Sequence, residues 1–151
     1  MLDRPPAHAR LEATEIGDDA LCLVLPPGSA TRPSFADLQQ IGFIGHPDGF
    51  AYAEELLGAN YPGDYRGTDQ LRLRSFVNQI GQIPEPVAQG IGYTVLPRSG
   101  IDAFPGRARL TLARLKTELR HPQWLVQRRG RVLPARAEAV RALVRDALPG
   151  R

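Results

Sequence analysis

Side-chain catalysis needs a nucleophile beside a base, two converging carboxylates or a metal-binding cluster, and the sequence offers none of these. The three histidines lie far apart, and none has a cysteine or histidine at metal-ligand spacing. The single cysteine, Cys22, lies in an apolar stretch that favours a small buried side chain over a reactive thiol. Adjacent carboxylates, as in Asp18–Asp19 and Glu54–Glu55, point in different directions and are predicted to be surface charges. The sequence therefore predicts no enzyme, no metal site and no cofactor.

Charge is distributed unevenly along the chain. Residues 1–106 contain 7 basic and 13 acidic side chains, whereas residues 107–151 contain 12 basic and 3 acidic ones. A basic segment can contact nucleic-acid phosphates, but here only Trp124 adds an aromatic ring. The sole lysine, Lys116, follows no glycine-rich phosphate loop. An arginine-rich solvated surface is the favoured interpretation, so we expect no direct contact between this chain and nucleic acid.

Ser75 has the most informative position of the serines, between a predicted strand and a predicted helix. It lacks the flanking glycines of a strained nucleophile turn, so capping the helix and contacting a ligand are its two interpretations. In parallel α/β sheets, ligands bind beyond the carboxyl ends of strands, where helix N-termini attract anions. Three such ends are predicted, after Ile44, Leu73 and Leu96. Together they supply a polar rim that we interpret as a recognition site: His46, Asp48, Arg74, Ser75, Asn78, Gln79, Arg98 and Ser99.

The elements that would position this rim follow from hydrophobic patterns in a chain of 151 residues, a length typical of one domain. Leu11–Ile16 and Ala20–Pro26 are predicted strands, and the second is an almost unbroken apolar run of the kind seen in sheets covered on both faces. This run predicts a mostly parallel sheet. Further strands are predicted at Ile41–Ile44, Leu71–Phe76, Tyr93–Leu96, Leu110–Leu112 and Gln123–Gln127.

Helices are predicted between these strands. Ser34–Gln40 begins with Ser34 as a cap and has Asp37 three residues later, and Phe50–Leu57 is expected to end at Gly58. The loop Ala59–Asp69 is expected to be held down by Tyr61 and Tyr65. The stretch Val77–Gly90 contains Pro84 and Pro86, which cannot both lie deep in one helix, so it predicts two short helices with a proline in the first turn of the second. An amphipathic helix is predicted at Pro134–Leu148.

No apolar run approaches the roughly 20 residues of a membrane span, and Met1–Arg10 lacks the apolar core of a signal peptide. A soluble protein of the cytoplasm is therefore expected, with no membrane partner.

Four sequence stretches resemble one known family. The segment VAQGIGYTVLPRSGIDAF resembles the late part of the effector-binding domain of LysR-type transcriptional regulators, in which a helix ends in glycine and leads into a leucine-proline strand. GFIGHPDG, RSFVNQI and LPARAEAVRALV resemble the same family in their order and spacing. The resemblance covers Leu11 to Leu148.

The resemblance implies a type 2 periplasmic-binding-protein-like α/β sensor with two lobes. One lobe is expected to be complete and Rossmann-like, and the other partial. The implied divisions are residues 1–26 for the remnant of lobe I and the first crossing strand, 27–94 for lobe II, and 95–151 for the return crossing and the end of lobe I. The helix-turn-helix and linker helix of the family are missing from this sequence, so the chain is expected to be truncated.

The family binds small metabolites, often carboxylates, in a cleft between the lobes. By position, Ser75, Asn78 and the turn His46–Gly49 would be the lobe II contributors. The intact regulator would act as an oligomer and contact DNA through its helix-turn-helix. Two alternatives stay open: an interaction fragment that pairs with intact regulators, and a solute-binding module, which would need export. The missing half-lobe also predicts an unpaired sheet edge and self-association.

Overall fold

The computed structural model of the chain describes residues 6–146. It divides into two units, one formed by residues 20–119 and the other by the described residues on either side of that range. In chain order the elements are β1 (Leu11–Leu25), α1 (Phe35–Ile41), β2 (Phe43–Gly45), α2 (Gly49–Asn60), β3 (Leu73–Phe76), α3 (Pro84–Ala88), β4 (Thr94–Pro97), α4 (Arg98–Asp102), β5 (Thr111–Leu112), β6 (Arg120–Arg128) and α5 (Ala135–Asp146). None of the helices within residues 6–146 is long and apolar enough to cross a membrane.

Strand β1 differs from its prediction in two ways. It is one continuous strand rather than two, and its residues in the larger unit pair antiparallel with β4 and with β5. The prediction of a mostly parallel sheet is wrong for this strand. An apolar run indicates that both faces of a strand are covered, but it does not predict the direction of the neighbouring strands.

Parallel pairing does occur in a second, smaller sheet. Strands β2 and β3 pair in parallel, with Ile44 opposite Ser75 and Gly45 opposite Phe76. On the other side of β2, Phe43 forms a parallel bridge with Tyr93, just before β4 begins. The neighbouring chain segments around β2 therefore run in one direction, as the strand–helix–strand pattern predicts.

The short helix α1 confirms its predicted start. The Ser34 side chain accepts a hydrogen bond from the Asp37 backbone N–H at 3.2 Å, and the Asp37 carboxylate accepts one from the Ser34 N–H at 2.8 Å. This capping box satisfies two N–H groups that the helix itself cannot pair. The Ser34 hydroxyl also donates to the Asp37 carboxylate at 2.8 Å, and this bond, together with the one from the Ser34 N–H, lowers the pKa of the Asp37 carboxyl group.

Helix α2 continues through Gly58, so the predicted end at that residue is wrong. The backbone remains helical to Asn60, and the Tyr61 N–H still donates to the Leu57 carbonyl at 2.8 Å. Buried Leu56 and Leu57 stabilise this last turn more than one glycine weakens it. The loop that follows is held down as predicted, since Tyr61 and Tyr65 both pack on the ring of Phe35, with centroids 5.9 Å apart in each pair.

The proline-containing stretch after β3 forms a 3-10 turn at Ile80–Gln82 followed by α3, whose first turn contains Pro84. Two short helices were predicted here, and the position of the proline is confirmed. The first helix begins later than expected because the chain stays extended after β3, where the Val77 N–H donates to the Gly45 carbonyl at 2.9 Å. Helix α4 directly after β4 was not predicted.

The core of the larger unit lies on both sides of β1. Leu21, Leu23 and Leu25 belong to one buried cluster with Phe43 and Tyr93, whereas Val24 belongs to a second cluster. This is the period of two expected of a strand covered on both faces. Cys22 is half-buried beside the second cluster and is not part of a disulfide.

In the smaller unit, β6 pairs with β1, and Arg120 forms an ion pair with Asp18. The predicted closing helix is present as α5, although Leu148 lies outside the described residues. Its apolar face is less buried than the pattern suggests, because Val140 is 58% exposed and Leu143 is 67% exposed.

Candidate functional site

The carboxyl ends of β2 and β3 lie side by side in the larger unit. The register places Gly45 opposite Phe76, and the hydrogen bond from the Val77 N–H to the Gly45 carbonyl extends the pairing by one residue. The two turns that follow, residues 46–48 and 77–79, therefore leave the same edge of the small sheet. We call this region the carboxyl edge.

His46 is a brace within this edge rather than an open recognition group. Its side chain is buried, and Nε2 lies 2.9 Å from the carbonyl oxygen of Val95. Because a carbonyl only accepts, Nε2 must carry the proton. The ring also packs so closely on Gly49 that a Cβ there would lie 2.6 Å from His46 Cδ2. His46 thus joins the turn after β2 to strand β4 and to the first residue of α2.

Thr94 makes a second connection that the sequence analysis missed. Its side chain is fully buried, and Oγ1 donates to the Ile44 carbonyl at 2.9 Å. The available signal was a hydroxyl in an apolar strand, because a buried hydroxyl requires a hydrogen-bond partner. Together with His46, Thr94 holds β4 against the end of β2.

The N-terminus of α2 opens onto the carboxyl edge. Asp48 is the N-cap residue, but its side chain is exposed and makes no capping hydrogen bond. Within the described part of the chain, the backbone N–H groups of Phe50 and Ala51 therefore have no acceptor. Such N–H groups and the helix dipole favour an anion.

Asn78 and Gln79 are the exposed polar side chains of the neighbouring turn. Ser75 lies half-buried inside β3, and the next helical turn begins only at Ile80, so of its two interpretations the structure excludes the helix cap. Among residues 6–146, no hydrogen bond or ion pair engages these three side chains. They are available to a ligand.

The remaining members of the predicted rim are less well gathered. Arg74 lies against Gly42, at the opposite end of β2, and its Nε donates to the Ile91 carbonyl at 3.4 Å. Arg98 forms a salt bridge with Asp102 within α4, with Nε and Oδ1 3.1 Å apart. Ser99 lies in the same short helix. The structure thus brings together the turns at residues 46–48 and 77–79, with Ser75 beside them, and directs both arginines elsewhere.

Comparison with known proteins decides the family. Residues 1–149 match the LysR substrate binding domain. The chain belongs to the LysR substrate binding domain family. No curated protein matches its sequence.

Solved structures agree with this LysR assignment at the level of the fold. The effector binding domain of QuiR in complex with shikimate has a TM-score of 0.61 and 9% identity, over 95% of this chain and 68% of that one. The Synechocystis CcmR regulatory domain in complex with 2-PG has a TM-score of 0.63 and 15% identity, over 98% and 72%. The reduced OxyR regulatory domain from Pseudomonas aeruginosa has a TM-score of 0.65 and 16% identity, over 95% and 69%.

The predicted type 2 periplasmic-binding-protein-like α/β fold of the LysR domain is confirmed. This chain spans 72% of the length of the CcmR regulatory domain and 48% of a full-length CbnR chain. Within residues 6–146, no group of three or more histidine, cysteine or acidic side chains could hold a metal ion.

Proposed function

We propose that this chain is the effector-sensing part of a LysR-type transcriptional regulator and that it binds a small carboxylate at the carboxyl edge. Membership of the LysR substrate binding domain family supports a sensor rather than an enzyme. The observation that carries the choice of site is the pair of exposed, unengaged amides, Asn78 and Gln79, beside the uncapped N-terminus of α2.

The chemistry of the edge suits a small anion that also accepts hydrogen bonds. The N–H groups of Phe50 and Ala51 would bind a carboxylate, and the two amides would orient its polar substituents. The negative charge of Asp48 opposes the anion, which favours a ligand that places hydroxyl groups on that side. His46 and Thr94 would not touch the ligand but keep the turns in place.

The predicted lobe divisions, at residues 26/27 and 94/95, remain part of this proposal. The ligand-bound neighbours add support, since QuiR was solved with shikimate and CcmR with 2-PG. In the intact regulator a separate segment would contact DNA, and the sensor would change the affinity of that DNA-binding domain when it binds its effector.

Isothermal titration calorimetry with shikimate and a panel of other small carboxylates tests this site. A carboxylate from the panel that binds the unchanged chain should bind about tenfold more weakly to Asn78→Ala, and likewise to Gln79→Ala, because each change removes about one hydrogen bond. Gln40→Ala is the matched control, since it removes an exposed amide in the same unit on α1. A folded chain that binds nothing in the panel, or an affinity indifferent to both amides, would contradict the proposal.

A second candidate function, pairing with another regulator chain, is favoured by the free edge of β3. This strand pairs only with β2 among the described residues, and Leu73, Phe76 and Ile80 are 53%, 52% and 71% exposed. Apolar side chains on an unpaired edge recruit another strand. Light scattering should show self-association that Phe76→Lys reduces, and a monomer at all concentrations would exclude this role.

A further inference from the structure

A cavity lies in the larger unit at the far end of α2. Its volume is about 410 Å³, and three cations line it, Arg32, Arg114 and Lys116, together with Asn60, Tyr61 and Leu115. We call it the basic pocket. The carboxyl edge is at the first residue of this helix and the basic pocket at the last, so about 18 Å of helix separates them.

The three cations of the basic pocket are exposed and line one cavity. Among residues 6–146, no acidic side chain pairs with Arg32, Arg114 or Lys116, and no carboxylate lines the cavity. The two arginines are brought together by the backbone, because the Arg114 N–H donates to the carbonyl of Thr31 at 2.7 Å. Three like charges around one cavity repel each other, and an anion between them would remove that repulsion.

The frame of the pocket is built independently of any ligand. Asn60 Nδ2 donates to the carbonyls of Leu56 and Thr117 at 2.9 and 3.0 Å, and its Oδ1 accepts from the Thr117 N–H at 2.9 Å. The Tyr61 hydroxyl donates to the Pro33 carbonyl at 3.0 Å. These bonds hold the segment with Lys116 and the segment with Arg32 against the end of α2, so a ligand would not have to order them.

Two features oppose an anion here: the helix dipole, and the carboxylate of Asp37, whose negative charge acts on the Tyr61 hydroxyl. A helix C-terminus is equivalent to about half a negative charge, against three positive side chains. The hydrogen bonds from Asn60 and from the Tyr61 N–H also engage the carbonyls of Leu56 and Leu57. The three exposed positive charges therefore outnumber the opposing charges of the helix end and Asp37.

We propose that the basic pocket binds a small dianion, a phosphate monoester or a dicarboxylate, at a site separate from the carboxyl edge. The guanidinium groups of Arg32 and Arg114 would each donate two N–H hydrogen bonds to the anion, and the Lys116 ammonium group would add a positive charge. Pro33, Leu115 and the Tyr61 ring would contact the apolar part of the ligand. Burial raises the pKa of Tyr61, so its hydroxyl stays neutral at physiological pH.

Two-dimensional 15N NMR of the whole chain, titrated with inorganic phosphate or with malonate at constant ionic strength, tests this proposal. We expect saturable shifts of the Asn60 side-chain amide and of the Thr117 backbone amide with at least one anion. The stronger response identifies the phosphate or the dicarboxylate source. Shifts that stay confined to Asn78 and Gln79 would support the carboxyl edge and overturn the basic pocket.

Two double variants that each remove two positive charges provide the control. Arg32→Gln/Arg114→Gln should weaken the affinity by at least about tenfold, and Lys116→Gln by a smaller factor. Arg129→Gln/Arg131→Gln removes two exposed cations from the smaller unit and should change the affinity less than about twofold. Equal weakening in both double variants would show general charge attraction, and no weakening in either would show binding elsewhere. Each result would overturn the proposal.

Discussion

Replacing Gly92 by alanine should destabilise the small sheet strongly, because the backbone of Gly42, immediately before β2, lies directly against this residue. A Cβ at Gly92 would lie 2.6 Å from the Gly42 carbonyl oxygen and 3.0 Å from Ile44 Cγ1. An ordinary contact begins at 3.4 Å, so the Gly42 backbone would have to move by about 0.8 Å. The fixed partner is backbone and cannot rotate away.

That movement acts on two short hydrogen bonds. The Tyr93 N–H donates to the Gly42 carbonyl at 2.8 Å, and the Ile44 N–H donates to the Tyr93 carbonyl at 2.7 Å. Losing each costs about 1 kcal/mol, and overpacking adds about 1–3 kcal/mol. Together these terms lead us to expect that Gly92→Ala lowers the free energy of unfolding by about 3–5 kcal/mol.

Urea unfolding followed by far-UV circular dichroism measures this loss, and Gly100→Ala is the matched control. A Cβ at Gly100 would meet nothing within 4 Å, and the residue lies in α4. Alanine is favoured over glycine in a helix by roughly 0.5–1 kcal/mol, so the control should be neutral or slightly stabilising. If Gly92→Ala unfolds at the same urea concentration as Gly100→Ala, the argument from close approach is refuted.

Two further predictions concern buried polar groups. Burial raises the pKa of Tyr93 above its ordinary value of 10.0, so the unfolded chain loses this proton first and stability should fall as the pH rises above 10. Between pH 8 and pH 11, the free energy of unfolding measured with urea should fall by about 1.4 kcal/mol less in Tyr93→Phe than in the unchanged chain. If both proteins show the same pH dependence, Tyr93 is not the group responsible. Asn60→Ala removes the hydrogen bonds to Leu56 and Thr117 and should lower the free energy of unfolding by about 2–4 kcal/mol. Thermal or urea unfolding measures this loss. A loss below about 0.5 kcal/mol would show that other contacts hold the segment around Thr117.

Local signals in the sequence predicted the helices and strands with good accuracy where one short-range interaction dominates. The Ser34 cap and the first-turn position of Pro84 depend on neighbouring residues only, and both are confirmed. The end of α2 was predicted incorrectly because Gly58 is a local signal, whereas the burial of Leu56 and Leu57 depends on distant parts of the chain.

The candidate site was predicted in part for a similar reason. Strand ends at Ile44 and near Ser75 could be found from hydrophobic patterns, and the register of β2 with β3 brings their turns together. The roles of His46 and Arg74 could not be found in this way, because each depends on a backbone carbonyl far away in the sequence, at Val95 and Ile91.

No feature of the sequence pattern predicts the basic pocket. Arg32 and Arg114 are separated by a long stretch of chain, and the hydrogen bond from Arg114 to Thr31 makes them neighbours. The uneven charge of residues 107–151 indicated excess cations, but one-dimensional charge counting cannot tell a solvated surface from a cavity.

By itself, the sequence determined the α/β class and the order of most elements, because hydrophobic periodicity, caps and prolines act over a few residues. The family was indicated by the resemblance of four sequence stretches to the LysR effector-binding domain. Only the tertiary structure decided that β1 pairs antiparallel, that His46 is buried on Val95, and that three cations surround one cavity. These features depend on contacts between residues far apart in the chain, and such contacts form only when the whole unit packs.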